Sequence, residues 1–132
     1  YRFGVNMKDN HIVDLQNESI WDYVKMLDSG MYVFTKQVRY FSDRYSKWVV
    51  CEVNDLSDGA TSAKDIDSFS WGAHDDLCRT GKFEDGSKCS NWKASQILSD
   101  ILKAEGYGFR SRSWLYATWL FGGGKARDNG MF

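Results

Sequence analysis

The hydrophobic period changes along this chain, and that change restricts the fold more than any single motif. In "MYVFTKQVRYF" β-branched and aromatic residues alternate, with Tyr32, Phe34, Val38 and Tyr40 on one face. "SDRYS" has turn chemistry and "KWVVCEVN" alternates again, so the pair reads as an antiparallel hairpin. From about residue 65 the apolar residues recur at three and four instead. Ile66, Phe69, Ala73 and Leu77 make a stripe over residues 65–78. Ala94, Ile97, Leu98, Ile101 and Leu102 make a second over residues 92–105, with Ser90 or Asn91 to cap it and Gly106 to end it. A third helix, residues 111–121, is apolar on nearly every side; such a helix is buried centrally or covered by a partner, and central packing is the plainer expectation.

Two strands alone are marginal in water, so other elements must cover one face of the hairpin. The expectation is an α+β fold, an N-terminal antiparallel β-hairpin region packed on three C-terminal helices. One domain is expected over residues 1–123, with a flexible Gly-rich tail at residues 124–132. A further short helix is expected in "ESIWDYVKMLDSG", where Ile20, Tyr23, Val24 and Leu27 have helical spacing and Gly30 stands as a C-terminal stop. Residues 1–17 read as a strand or an irregular arm, "DLSDGATSAKD" as a loop, and "RTGKFEDGSKC" as a connector with a tight turn at Asp85-Gly86.

Size and composition bound the function classes. A chain of 132 residues with six Trp, seven Tyr and eight Phe can bury a core without disulfide or cofactor support. The net charge of −1 predicts neither nucleic-acid binding nor attraction to a membrane surface. The longest apolar run, around Trp114 to Phe121, is too short to span a bilayer. Three cysteines at this density read as reduced thiols. Proline is absent, so turns must come from Gly, Asn, Asp and Ser. The opening "YRFGVNMKDN" lacks the apolar core of a signal peptide, and its missing initiator Met suits a processed or trimmed chain.

The candidate chemistry centres on "SWGAHDDLC". A carboxylate beside an imidazole fixes its tautomer and raises its basicity, which serves both general-base catalysis and metal binding. Asp58, in a Gly-containing loop before the His-bearing helix, is expected to meet His74, with Asp75 beside it. The plainer role for this group is a hydrogen-bonded bolt between loop and helix. His74 and Cys78 are four apart and share a helical face; with Cys89, and with Cys51 if it were near, they form a zinc alternative. The spacing from Cys78 to Cys89 is not that of a zinc knuckle, and Cys51 in a strand reads as a buried small hydrophobe. A Cys78–His74 nucleophilic pair lacks a nameable oxyanion donor. "FGGG" follows a helix rather than a strand and does not cradle phosphate in the usual way, and Asp85-Gly86 lacks the spaced acids of a calcium loop. No cofactor is expected. Trp114, Tyr116, Trp119 and Phe121 on the last helix, with Phe132 at the end of the tail, are candidate interface anchors.

The blocks "DGATSA", "AHDDLC", "ASQILSDILKAEG" and "SWLYATWLFGG" resemble, in order and spacing, the phage and prophage domain-of-unknown-function 1353 family over about residues 50–123. That resemblance places the family's polar signature on Asp58, Gly59, His74 and Asp75. The acid of its third block falls at Ser95, so that carboxylate is missing, and Ala63 stands near its usual proline. The resemblance implies no established activity. It implies a phage setting, with other phage structural proteins as partners, room for a homo-oligomer, and a location in the virion or in the host cytoplasm before assembly. The leading expectation is therefore a virion-associated accessory protein of the tail or neck region. The alternatives are a small His/Asp-dependent, metal-assisted hydrolase acting on cell wall and an intracellular binder of a host factor.

Overall fold

The structure is a computed structural model that describes residues 12–57 and 67–121, the last two by backbone only. It has an α+β arrangement, with antiparallel strands in the N-terminal half and three helices in the C-terminal half. Asp58, Gly59 and the rest of residues 58–66 lie outside the described residues, as do residues 1–11 and the expected tail.

The strands form two small sheets. In the first, β2 (Tyr32–Phe34) lies between β1 (Val24–Met26) and β5 (Leu56–Ser57), antiparallel to both. In the second, β3 (Val38–Ser42) pairs with β4 (Lys47–Cys51) in the register Tyr40 opposite Val49. The expected hairpin is this second pair. Its first strand does not run unbroken from residue 31: Thr35 prolongs the β1–β2 ladder, its N–H donating to the carbonyl of Tyr23 at 2.8 Å, and the chain bends at residues 35–36, so that β2 is left in the other sheet. The face containing Tyr32, Phe34 and Val38 is buried as expected, and Tyr40 packs half-buried against it.

The short helix expected in "ESIWDYVKMLDSG" does not form. A single 3-10 turn, Ile20–Asp22, is capped by the Ser19 hydroxyl, and the chain then enters β1. Ile20 and Tyr23 still reach the core, because burial needs only their inward direction and not a continuous helix. Gly30 keeps the left-handed conformation expected of a helix stop (φ +87°) but uses it to turn β1 into β2, where the Leu27 N–H donates to the Met31 carbonyl at 2.7 Å. Among residues 12–17 there is a turn and no strand, and Leu56 and Ser57 of the expected loop form β5.

Helix α1 (Ser70–Thr80) starts later than expected and ends at Gly81, whose positive φ of 69° lets its N–H return to the Leu77 carbonyl at 2.7 Å. The Lys82–Lys88 bridge and a turn with Gly86 at φ +85° form the connector, fixed by Phe83 in the core. Helix α2 (Asn91–Ala104) is capped by Ser90, whose hydroxyl accepts the N–H of Lys93, and its Ala94, Ile97, Leu98, Ile101 and Leu102 stripe is buried throughout. Helix α3 (Gly108–Phe121) packs mainly on α2.

The expected central position of the last helix is overturned. It is α1 that lies between layers, touching β4 and β5 on one side and α2 on another, and it is buried over nearly its whole length. Helix α3 is peripheral and leaves aromatic rings exposed. The apolar stripe of α1 understates its burial because Ser70, Gly72, His74 and Asp76 are buried through hydrogen bonding and close packing rather than through hydrophobicity.

Candidate functional site

The "AHDDLCR" stretch lies on α1, so successive residues point to different surroundings. Trp71, His74, Asp75 and Cys78 fall on one side at helical spacing. Trp71 is buried against Tyr32 of β2, ring centroids 5.1 Å apart, and Tyr32 in turn meets Trp21. Ser57, opposite Tyr32 in the β2–β5 register, donates its hydroxyl to Asp75 Oδ2. His74 is 6% exposed; its Nδ1 stands 4.0 Å from Asp75 Oδ1 and its Nε2 3.6 Å from Cys78 Sγ. The structure thus brings together His74, Asp75 and Cys78, and it adds Ser57. The expected contact of His74 with Asp58 lies outside the described residues.

The other thiols serve packing. Cys51 and Cys89 are buried; Cys51 points to the carbonyl of Gly72, and Cys89 to that of Ser90. Burial raises both thiols, Cys51 well above the ordinary range and Cys89 to about 12, which keeps them protonated and unreactive. Among the described residues no three His, Cys, Asp or Glu side chains gather where they could hold a metal ion, so His74, Cys78 and Cys89 do not assemble as a zinc centre. Ser95, where the resemblance would place an acid, is wholly buried, and its hydroxyl has no hydrogen-bond partner among the described residues.

A second polar group, not anticipated, lies one residue further round the helix. Asp76 is buried and bonded to Arg79, three residues on, and the same guanidinium nitrogen reaches Asp55 Oδ2 at 3.0 Å. Burial pushes the Asp76 carboxyl well above the usual carboxylate range; the hydrogen bond and negative charge of Asp55 push it the same way, and Arg79 opposes them. Asp76 also lines a cavity of about 220 Å³ between β4 and the end of α1, floored by Val50, Leu77 and Phe83 and edged by Glu52, Thr80 and Glu84. The Asp76–Arg79 spacing is a visible helical ion-pair signal; the approach of Asp55 from the turn before β5 is not visible in local sequence.

Of the expected interface anchors, Trp114 is half-buried, Tyr116 and Trp119 are exposed, and the side chain of Phe121 and all of Phe132 lie outside the described residues. Trp119 packs edge-on against Trp92 with centroids 5.0 Å apart, and its carbonyl accepts from Asn91 Nδ2 at 3.1 Å, which fixes α3 on α2. Phe109, not singled out by sequence, is the most exposed large apolar residue described.

Among the described residues no helix is long and apolar enough to cross a membrane. No protein-family model matches the chain, and no curated protein or solved structure matches it either.

Proposed function

We propose that this protein acts by protein–protein contact, as a virion-associated accessory protein of a phage tail or neck, with the outer face of α3 as its docking surface. The observation that carries the reading is the exposure of Phe109, Tyr116 and Trp119, at 90%, 49% and 37%, on a peripheral helix. Phe109 and Tyr116 are seven apart and share a face, and aromatic residues of this kind anchor interfaces. The phage setting rests on the order of the four sequence blocks, and the occupant is a neighbouring structural protein of the particle. In the test, Phe109→Ser with Tyr116→Ser keeps the melting temperature but no longer enters particles. Purified particles that lack the unaltered protein overturn the reading.

A second reading, hydrolysis of cell wall, draws on a different observation: the Asp76 carboxyl lines a cavity and holds its proton unusually tightly, as a general acid does. His74 and Asp75 do not line that cavity. Turnover of purified cell wall, lost in Asp76→Asn, supports this reading; no turnover by the unaltered protein removes it.

A further inference from the structure

Helix α1 begins without a side-chain cap of its own, since Phe69 occupies the capping position. The acceptor comes from the far end of α2. Glu105, the residue that closes α2, accepts the N–H of Phe69 through Oε2 at 2.8 Å and the hydroxyl of Ser68 through Oε1 at 2.5 Å. Ser68 Oγ lies 2.6 Å from Ser70 Oγ and accepts the N–H of Ser70 at 3.0 Å. Both serines are 0% exposed.

A hydroxyl has one proton to give and lone pairs to receive, so this chain of groups can run either way. With Glu105 ionised, Ser70 donates to Ser68 and Ser68 donates to Glu105. With Glu105 protonated, Glu105 donates to Ser68 and Ser68 donates to Ser70. The N–H of Phe69 keeps its acceptor in both states. The bonds are conserved while the charge changes, and Glu105, half-buried against two wholly buried serines, is partly desolvated, which disfavours its ionised form.

Of the titratable groups around this junction, Asp67 adds to that bias. Asp67, at the start of the segment, has its Oδ1 held by the Ser19 hydroxyl and the Ile20 N–H, and the Tyr107 hydroxyl donates to its carbonyl at 3.4 Å. On the strand side, Tyr23 packs edge-on against Phe69 and donates to Glu18. Burial and the Asp67 charge raise the Glu105 carboxyl to about 7, against the opposing effect of its bonds from Ser68 and Phe69.

We propose that Glu105 is a proton-operated clasp between the end of α2 and the start of α1. Its acid form holds the junction most firmly, and its ionised form loosens Asp67–Ser70. The test is a titration of the whole chain by carboxyl-carbon NMR, with amide-exchange protection read at Phe69 and Ser70. The Glu105 signal is expected to titrate near pH 7, and protection at the two amides to fall about tenfold or more from pH 5 to pH 7. In Glu105→Gln, which keeps an acceptor for Phe69 and a donor for Ser68, protection no longer depends on pH. A Glu105 midpoint in the ordinary carboxylate range overturns the proposal whether or not that variant folds. So does a Gln variant whose protection falls in parallel with the unaltered protein.

Discussion

The ring of Phe34 rests so closely on the backbone of Gly72 that a Cβ built at position 72 would stand 2.7 Å from Phe34 Cζ. This contact sets β2 against the first turn of α1, and both partners are in the core. An exposed helical glycine would gain about 1 kcal/mol on replacement by alanine. Here overpacking opposes that gain by about 1–3 kcal/mol, because the ring that must give way is itself buried in the core. Gly72→Ala is therefore expected to lower the urea midpoint. In a double-mutant cycle Phe34→Leu should relieve part of the loss, and simple additivity of the two changes would count against the close contact.

The Ser57–Asp75 bond ties β5 to α1, and Ser57 is buried. Asp75→Ala removes the acceptor and is expected to cost about 1–3 kcal/mol. Asp75→Asn keeps an oxygen for the hydroxyl and should cost less. Equal losses in the two variants, measured by chemical denaturation, would show that charge rather than the hydrogen bond matters at this position.

Arg79 is the countercharge of a buried carboxyl. A carboxyl whose folded pKa lies above its unfolded value binds its proton more tightly when folded. Its contribution to stability is then greatest below the unfolded pKa and falls as pH climbs through the folded one. Asp76 and Glu105 are both raised in this way, so stability is expected to decline from about pH 4 toward pH 7. Arg79→Ala removes the group that opposes the rise at Asp76, which extends the decline to higher pH. The loss at pH 8 should exceed that at pH 5, by about 1 kcal/mol once the partial exposure of Arg79 is allowed for. Urea denaturation at the two pH values measures it, and a pH-independent loss would remove Asp76 as the cause.

All three cysteines are buried, and none is in a disulfide. Ellman's reagent should therefore modify none of them in the native protein at neutral pH and all three in denaturant. Rapid native labelling at Cys78, beside His74, would contradict its burial and revive a nucleophilic role for it.

Legibility in the sequence followed the range of the interactions. The β3–β4 hairpin and α2 were readable because their signals are local: alternation about a turn in the first, a capped stripe ended by Gly106 in the second. Residues 18–30 mislead because Ile20, Tyr23 and Val24 satisfy helical spacing while the pairing of Val24 with Phe34 takes the backbone into a sheet. Local spacing is a weak prior against a partner ten residues away. The roles of α1 and α3 were exchanged for a related reason: hydropathy ranks the aromatic helix as the more buried, but His74, Asp76 and Ser70 are buried by partners that hydropathy does not count. At the candidate site, the shared face of His74 and Cys78 followed from helical geometry, whereas Asp75, expected to point away from the apolar stripe, is instead held by the buried Ser57. The Asp55–Arg79–Asp76 cluster did not, because Asp55 arrives from the turn between β4 and β5, far from α1 in sequence.

The sandwiching of α1 between the strands and α2 has a consequence for dissection of the gene. A break introduced near residue 60 would strand Tyr32, Phe34 and Val49 without the rod that shelters them, and leave Trp71 and Leu77 bare on the other fragment. Neither piece is then expected to fold alone; co-expressed, they should restore one another by complementation.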